Sequence, residues 1–165
     1  MTQMTPFSLL GLPEKFALNA ETVTAAWKKA IALVHPDRFA GRPAAERRVA
    51  EQWAGRINEA RDALISPVGR AQTLLKLRGV DSAVETDTHM DPAFLMQQMD
   101  WRERQEAGET ATLAAEVEAA KEKEIAVLTV SLDEGFDADK ARAAVRRLMF
   151  IEKMRSALAG RRESL

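Results

Sequence analysis

The most concentrated group of side chains capable of chemistry is His35-Pro36-Asp37, which lies between two long amphipathic segments. Pro36 fixes one backbone angle, His35 can donate or accept hydrogen bonds, and an ionised Asp37 can only accept them. Such a tripeptide is either a compact recognition surface or an ordinary turn, since Asp and Pro are common turn residues. An acid–base pair, in which Asp37 orients His35, is disfavoured because no nucleophile or oxyanion device accompanies it.

The rest of the sequence argues against metal, redox and phosphate sites. Cysteine is absent and the only histidines are His35 and His89, so a thiolate nucleophile, a disulfide and a His/Cys metal cluster are excluded. Carboxylates at metal-ligand spacing and glycine-rich phosphate loops are also missing. We therefore expect neither a metal nor a cofactor.

Charge is unevenly distributed, although the net charge is only −1. Residues 1–75 carry ten Lys/Arg against seven Asp/Glu, and residues 76–165 carry 14 against 18. Neither half is basic enough for a nucleic-acid footprint, and no apolar run approaches the roughly 20 residues that span a bilayer. Residues 1–6 lack the pattern of a secretory signal. We expect a bacterial cytoplasmic protein with no nucleic-acid or membrane partner.

The elements that position the tripeptide are helices, because Ala, Leu, Glu, Arg and Lys dominate the composition. N-cap residues precede a proline or an apolar period at Thr5, Asn19, Ser66 and Asp91. Besides a short helix that Gly11 closes, helices are predicted over residues 20–34, 44–64, 67–77, 92–108, 109–132 and 138–159. Residues 79–90 have no helical period and are the best linker candidate.

Apolar spacing predicts which helix faces are buried. The helix over 20–34 should bury Val23, Trp27, Ala30, Ile31 and Val34. The helix over 44–64 should bury Val49, Trp53, Ile57, Ala60 and Leu64. A loop of about nine residues joins these two helices, which predicts an antiparallel hairpin. The helix over 67–77 should contribute Leu74, Leu75 and Leu77.

The second half predicts an antiparallel three-helix bundle, because its three helices have short connections. The helix over 109–132 should bury Leu113, Val117, Ala120, Ile125, Leu128 and Leu132. The last helix should bury Ala141, Val145, Leu148, Ile151, Met154 and Leu158.

The first half resembles the J-domain, the module that defines DnaJ-type co-chaperones. The resemblance covers residues 4–77 and is carried by three segments in order, FSLLGLP, AWKKAIALVHPDRF and INEARDALISP. It implies that His35, Pro36 and Asp37 bind the ATP form of a DnaK-class chaperone and accelerate its ATP hydrolysis. Lys28, Lys29 and Arg38 match the basic face of that docking site, so binding should be sensitive to salt.

The second half of the sequence also resembles a known family. MDPAFLMQQMDWRE and RRLMFIEKMRS, following a Leu-rich fourth helix, are similar to the HscB family of iron–sulfur cluster assembly co-chaperones. The family resemblance implies an HscA-type chaperone partner and an IscU-type scaffold partner. Some members carry an N-terminal extension with a CxxC pair, which this sequence lacks, so the bacterial form is the better match.

The same resemblance assigns a scaffold-binding surface to the second half. Its positions are Leu95, Met96, Met99 and Phe150, with Asp100, Arg102 and Glu103 as a polar rim. Independently, the helix from Pro92 has too many large apolar groups for one narrow seam, and methionine adapts well to a partner. A Met/Leu stripe at helical spacing is nevertheless more often core, and the bundle could bind a different protein client.

We therefore predict an all-α, non-enzymatic, monomeric adaptor with three parts. Residues 1–77 form the J-domain hairpin, residues 78–90 a linker, and residues 91–160 a three-helix client-binding domain. Because each small bundle has few apolar residues, the two should share an interface in an L-shaped or dumbbell-like molecule with limited hinge motion.

Overall fold

The structure is a computed structural model that describes residues 4–81 and 91–163, with side chains described as far as residue 160. These residues form helices and connecting turns without a strand, which confirms the all-α prediction. None of the described helices is long and apolar enough to cross a membrane. Contacts divide the chain into two units between Arg78 and Gly79. Most of the predicted linker, and His89 with it, lies outside the described residues.

The N-terminal unit contains four α-helices. They are α1 (Pro6–Leu9), α2 (Ala20–Leu33), α3 (Ala44–Leu64) and α4 (Pro67–Leu77). A 3₁₀ turn, Pro36–Phe39, interrupts the connection between α2 and α3. Gly41, at φ 82°, follows that turn in a backbone conformation that glycine adopts without a steric penalty.

Side-chain caps explain why three of these helices begin where they do. Asn19 accepts a hydrogen bond from the Thr22 N–H at 2.8 Å, and Ser66 accepts one from the Gly69 N–H at 3.1 Å. Thr5 caps α1 in the same way. Each cap satisfies an N–H group that has no partner within the helix, so the predicted helix starts are confirmed.

The α2–α3 pair forms the predicted antiparallel hairpin. Trp27 Nε1 donates to Asn58 Oδ1 at 2.8 Å, and the Arg61 guanidinium lies 4.8 Å from the Trp27 ring centroid. Buried side chains from all four helices fill the core, including Phe7, Val23, Ile57, Leu64, Leu74 and Leu75.

Two core predictions in this unit are wrong, and five further residues predicted to be buried are only half-buried: Trp27, Ala30, Ile31, Val34 and Trp53. Val49 is 52% exposed, and Leu77 is also exposed. On α3 the inward position belongs to Ala50, which shares a helix face with Ile57 and Leu64 at seven-residue spacing. Val49 lies about 100° away from that face, because successive residues of an α-helix are rotated by that angle.

Arg70 is a buried charge that links three segments of the N-terminal unit. Its side chain is 4% exposed, and its Nε donates to the Phe16 carbonyl at 2.8 Å. Its Nη1 donates to the Leu64 carbonyl, at the end of α3, at 2.9 Å. The guanidinium also lies 5.2 Å from the Phe16 ring centroid. Arg70 therefore fixes the loop before α2 against the α3–α4 corner.

The C-terminal unit contains α5 (Pro92–Glu106), α6 (Thr110–Thr129) and α7 (Ala138–Glu163). A π-helical turn, Val130–Glu134, extends α6, where the sequence predicts one helix as far as residue 132. The Ser131 hydroxyl donates to the Val127 carbonyl at 2.8 Å within this turn. Such a side-chain bond competes with the regular backbone pattern of the helix.

The core of this unit lies mainly between α6 and α7. All six apolar residues predicted to be buried on the last helix are buried. On α6, Ala120 and Ile125 are only half-buried, whereas Glu124 is buried. Arg147 Nε donates to Glu124 Oε1 at 2.8 Å, and this pairing offsets part of the cost of burying the carboxylate.

The α5–α6 connection is held by one cation. Arg104 Nε donates to Glu109 at 3.0 Å, and its Nη1 donates to Glu116 at 2.5 Å. This short hydrogen bond to Arg104 lowers the pKa of the Glu116 carboxyl below its ordinary value. Since Glu109 precedes α6 and Glu116 lies within it, the three residues tie the end of α5 to the next helix.

Candidate functional site

The His35-Pro36-Asp37 tripeptide is a fixed turn at the end of α2. The helix ends at Leu33, because a residue that precedes proline is disfavoured in the α region, and His35 is extended with ψ 138°. The Arg38 N–H donates to the His35 carbonyl at 3.0 Å and closes the turn. The backbone of all three residues is therefore held in one arrangement.

One hydrogen bond sets what the imidazole presents to a partner. The Asp37 N–H donates to His35 Nδ1 at 3.2 Å. In the neutral ring, a nitrogen that accepts leaves the other nitrogen, Nε2, to carry the proton. The His35 side chain is 53% exposed, so it offers an N–H donor to water or to a docking protein.

The same geometry disfavours His35 as a general base. Its Nδ1 lone pair is engaged, and the nearer Asp37 oxygen lies 3.6 Å from Nδ1, beyond hydrogen-bond distance. The Asp37 side chain is 92% exposed, which leaves its carboxylate directed to the outside as an acceptor. A donor and an anionic acceptor on a rigid turn form a recognition surface.

The three basic residues assigned to this surface are all exposed. Lys28 and Lys29 lie on α2, and Arg38 lies in the 3₁₀ turn directly after Asp37. The exposed turn of His35, Pro36 and Asp37, called the docking tip below, is therefore flanked by positive charge. This charge attracts an acidic partner, and the attraction weakens as salt screens it.

The second candidate surface is the outer face of α5. Phe94 and Trp101 point inward and are 5% and 1% exposed. Leu95, Met96 and Met99 are 44%, 72% and 62% exposed. The helix thus carries apolar side chains on two faces, of which only one is covered by the bundle.

Phe150 on α7 packs against the inner face of α5. Its ring is half-buried, lies 5.8 Å from the Phe94 ring in an edge contact and stacks 6.1 Å from the Trp101 ring. The Arg102 guanidinium lies 5.7 Å from the Phe150 centroid. Phe150 is therefore partly a core residue, and it also contacts the Arg102 guanidinium.

The other polar positions assigned to this surface differ in their surroundings. Glu103 is exposed on α5. Asp100 lies 3.5 Å from Arg104, so it faces the side of α5 that adjoins α6. Sequence reasoning missed Arg104 as the residue that orients Asp100, although their i,i+4 spacing is a usable signal.

Neither surface contains a cluster of metal-ligating side chains. Among the side chains described, those of residues 4–81 and 91–160, no group of three or more His, Asp or Glu could hold a metal ion. The chemistry that both surfaces support is reversible protein binding, through a polar turn in one unit and an apolar helix face in the other.

Comparison by sequence and comparison by fold match this chain to the same group of known proteins. Residues 90–159 match the family profile described as the HSCB C-terminal oligomerisation domain. A Co-chaperone protein HscB homolog from Bordetella pertussis is 47% identical over 158 residues, covering 93% of each chain. The homolog from Burkholderia thailandensis is 45% identical over 166 residues, covering 96% of this chain and 94% of the relative.

Two solved structures share the fold. The chaperone HscB from Vibrio cholerae is 29% identical with a TM-score of 0.81, over 98% of this chain and 99% of that chain. The human co-chaperone protein HscB has a TM-score of 0.90 at 22% identity, over 100% of this chain and 85% of that chain.

Proposed function

The chain belongs to the HscB family of co-chaperones, and on that premise we propose that it delivers an iron–sulfur cluster scaffold protein to a DnaK-class chaperone. The scaffold is of the IscU type and the chaperone of the HscA type. The protein acts as a monomeric adaptor, without catalytic chemistry of its own, in the cytoplasm of a bacterium. The two sequence relatives compared above are bacterial, which supports a bacterial origin.

The observation that carries the chaperone half of the proposal is the rigid, exposed turn of His35, Pro36 and Asp37. Binding the ATP-bound conformer of the chaperone better than other conformers shifts its equilibrium toward the state that hydrolyses ATP. A turn that is already fixed before docking loses little conformational entropy on binding, which favours affinity. Lys28, Lys29 and Arg38 contribute electrostatic attraction to this step.

The scaffold half of the proposal rests on the exposed side chains of Leu95, Met96 and Met99 on α5, together with the half-buried Phe150 of α7. Covering a cluster of this kind removes apolar area from water, the usual source of binding free energy. Arg102 and Glu103 supply a polar rim, which typically surrounds an apolar interface core. The Asp100 carboxylate pairs with Arg104, so it is less available to that rim than Arg102 and Glu103 are.

The test is the ATP turnover of an HscA-type chaperone with this protein alone and with an IscU-type scaffold. We expect the parent to raise turnover, and the scaffold to raise it further. His35→Gln should remove the stimulation, because the imidazole N–H donor and the bond that fixes Asp37 are both lost. Val130→Ala, an exposed change in the other unit, is the control. Stimulation by His35→Gln equal to that of the parent would exclude this mechanism, and absence of a scaffold effect would point to a different client.

A further inference from the structure

A groove of about 300 Å³ lies between α3 and the turn that carries Pro36 and Phe39. Val34, Pro36 and Phe39 form one wall, and Ala54 and Gly55 of α3 are among the residues that form the other. Small residues on α3 keep the groove open, and its opposite wall is apolar. Pro36 belongs both to this wall and to the docking tip.

Gly55 is the residue in this groove that the fold itself does not explain. It lies in the interior of the 21-residue helix α3, where glycine is less favourable than alanine. A Cβ atom built at Gly55 would meet nothing within 4 Å, and its φ is not in the left-handed region. Neither the backbone nor packing within the described residues therefore requires glycine here.

We propose that this groove receives an apolar side chain of the DnaK-class chaperone when the tip docks. The inference rests on the proposed function and adds a specificity determinant to the same site. Three features identify the occupant. Pro36 makes the groove continuous with the docking tip, the wall opposite α3 is apolar, and the volume is at the lower end of ligand pockets, suited to one large side chain.

The charged residues at the groove are of both signs. Arg47 and Glu51, four residues apart on α3, both line it and are exposed, and Arg38 is exposed in the same turn as Pro36 and Phe39. Since Arg47 and Glu51 offset each other, charge at the groove does not select the occupant. The apolar wall therefore identifies the occupant, and apolar contact supplies its affinity.

The experiment fills the groove without damaging the helix. Full-length Gly55→Leu and Gly55→Ala are compared with the parent in a titration of chaperone ATP turnover, and thermal unfolding of each variant is followed by circular dichroism. Gln52→Leu is the matched control, because Gln52 is exposed on the same helix but does not line the groove.

We expect Gly55→Leu to need about tenfold more protein for half-maximal stimulation, the effect of excluding one apolar side chain from its pocket. Its unfolding temperature should equal or exceed that of the parent, since glycine is removed from a helix interior. Gly55→Ala should be intermediate in stimulation, and Gln52→Leu should match the parent.

Three results would overturn the inference. If Gly55→Leu stimulates like the parent, the groove is not occupied, while the proposed function stands. If Gly55→Leu and Gln52→Leu weaken stimulation equally, an exposed leucine on α3 is responsible and the groove is not. A parent that fails to stimulate at all removes the proposed function itself and this inference with it. Should Gly55→Leu unfold, an intermediate effect of Gly55→Ala still decides the question.

Discussion

His35 and Arg70 show how individual residues of the N-terminal unit divide between recognition and stability. Nδ1 of His35 accepts a hydrogen bond from the Asp37 N–H, which leaves Nε2 for a partner. Arg70 is almost fully buried, and it donates hydrogen bonds to the carbonyls of Phe16 and Leu64. Both are polar groups with defined hydrogen bonds, but only the exposed one is available for docking.

Replacing Arg70 should destabilise the protein strongly. Arg70→Met keeps much of the apolar stem but leaves two buried carbonyls without this donor, at a cost of about 3 kcal/mol in the free energy of unfolding. Urea unfolding followed by circular dichroism measures this change. The matched control is Arg48→Met on the exposed surface of α3, where a change within about 0.5 kcal/mol is expected. Equal losses in the two variants would show that the buried hydrogen bonds contribute nothing specific.

At the scale of the element, α5 shows why a helix with apolar residues on two faces remains ordered. Its inner face is anchored by Phe94 and Trp101, which contact Phe150 of α7. Its C-terminal end is anchored by Arg104, which holds Glu109 and Glu116. With both anchors in place, the outer methionines need not pack against the bundle and can remain exposed.

The Arg104–Glu116 contact should stabilise the protein in a pH-dependent way. Because the pKa of Glu116 is lowered in the folded state, its contribution is fully present above the ordinary value of 4.5 and is lost as the pH falls through the lowered value. A double-mutant cycle of Arg104→Gln and Glu116→Gln, measured by thermal unfolding, should therefore give coupling at pH 7 that declines in acid. A coupling that is equal at both pH values would contradict the assignment.

At the scale of the whole molecule, the two proposed binding surfaces belong to different units of the chain. The division at Arg78 and Gly79 places the docking tip in one unit and the α5 face in the other. The N-terminal residues also carry an excess of positive charge and the C-terminal residues an excess of negative charge. Each surface therefore has its own supporting core and its own electrostatic preference.

Scaffold binding and stimulation of the chaperone should accordingly be separable by substitution. The combined variant Leu95→Ala, Met96→Ala, Met99→Ala should bind an IscU-type scaffold at least tenfold more weakly, because it loses exposed apolar contact area. The same variant should retain stimulation of the chaperone in the absence of scaffold. His35→Gln should show the reverse pattern.

Isothermal titration with the scaffold and the turnover assay measure the two activities independently. Val130→Ala, which truncates an exposed apolar residue elsewhere in the C-terminal unit, is the control for general effects of such changes. Unchanged scaffold affinity in the triple variant would exclude this surface as the client site.

The sequence alone determined the helices, the tip and the family resemblance. Caps such as Asn19, Ser66 and Asp91 act on N–H groups two or three residues away, so local chemistry is sufficient to place helix starts. The predicted bounds of α4 agree with the structure for this reason. Those of α3 agree as well, although its N-cap, Pro43, makes no side-chain hydrogen bond. The tip could also be recognised, because proline restricts the backbone wherever it occurs.

Only the tertiary structure decided which flank of each helix is covered. Periodicity could not favour Ala50 over Val49, nor reveal that Glu124 faces inward opposite Arg147, since both outcomes depend on where the neighbouring helices lie. The same holds for the open space at Gly55. Local signals specify a helix and its ends, whereas burial is a property of the neighbours that distant parts of the chain supply.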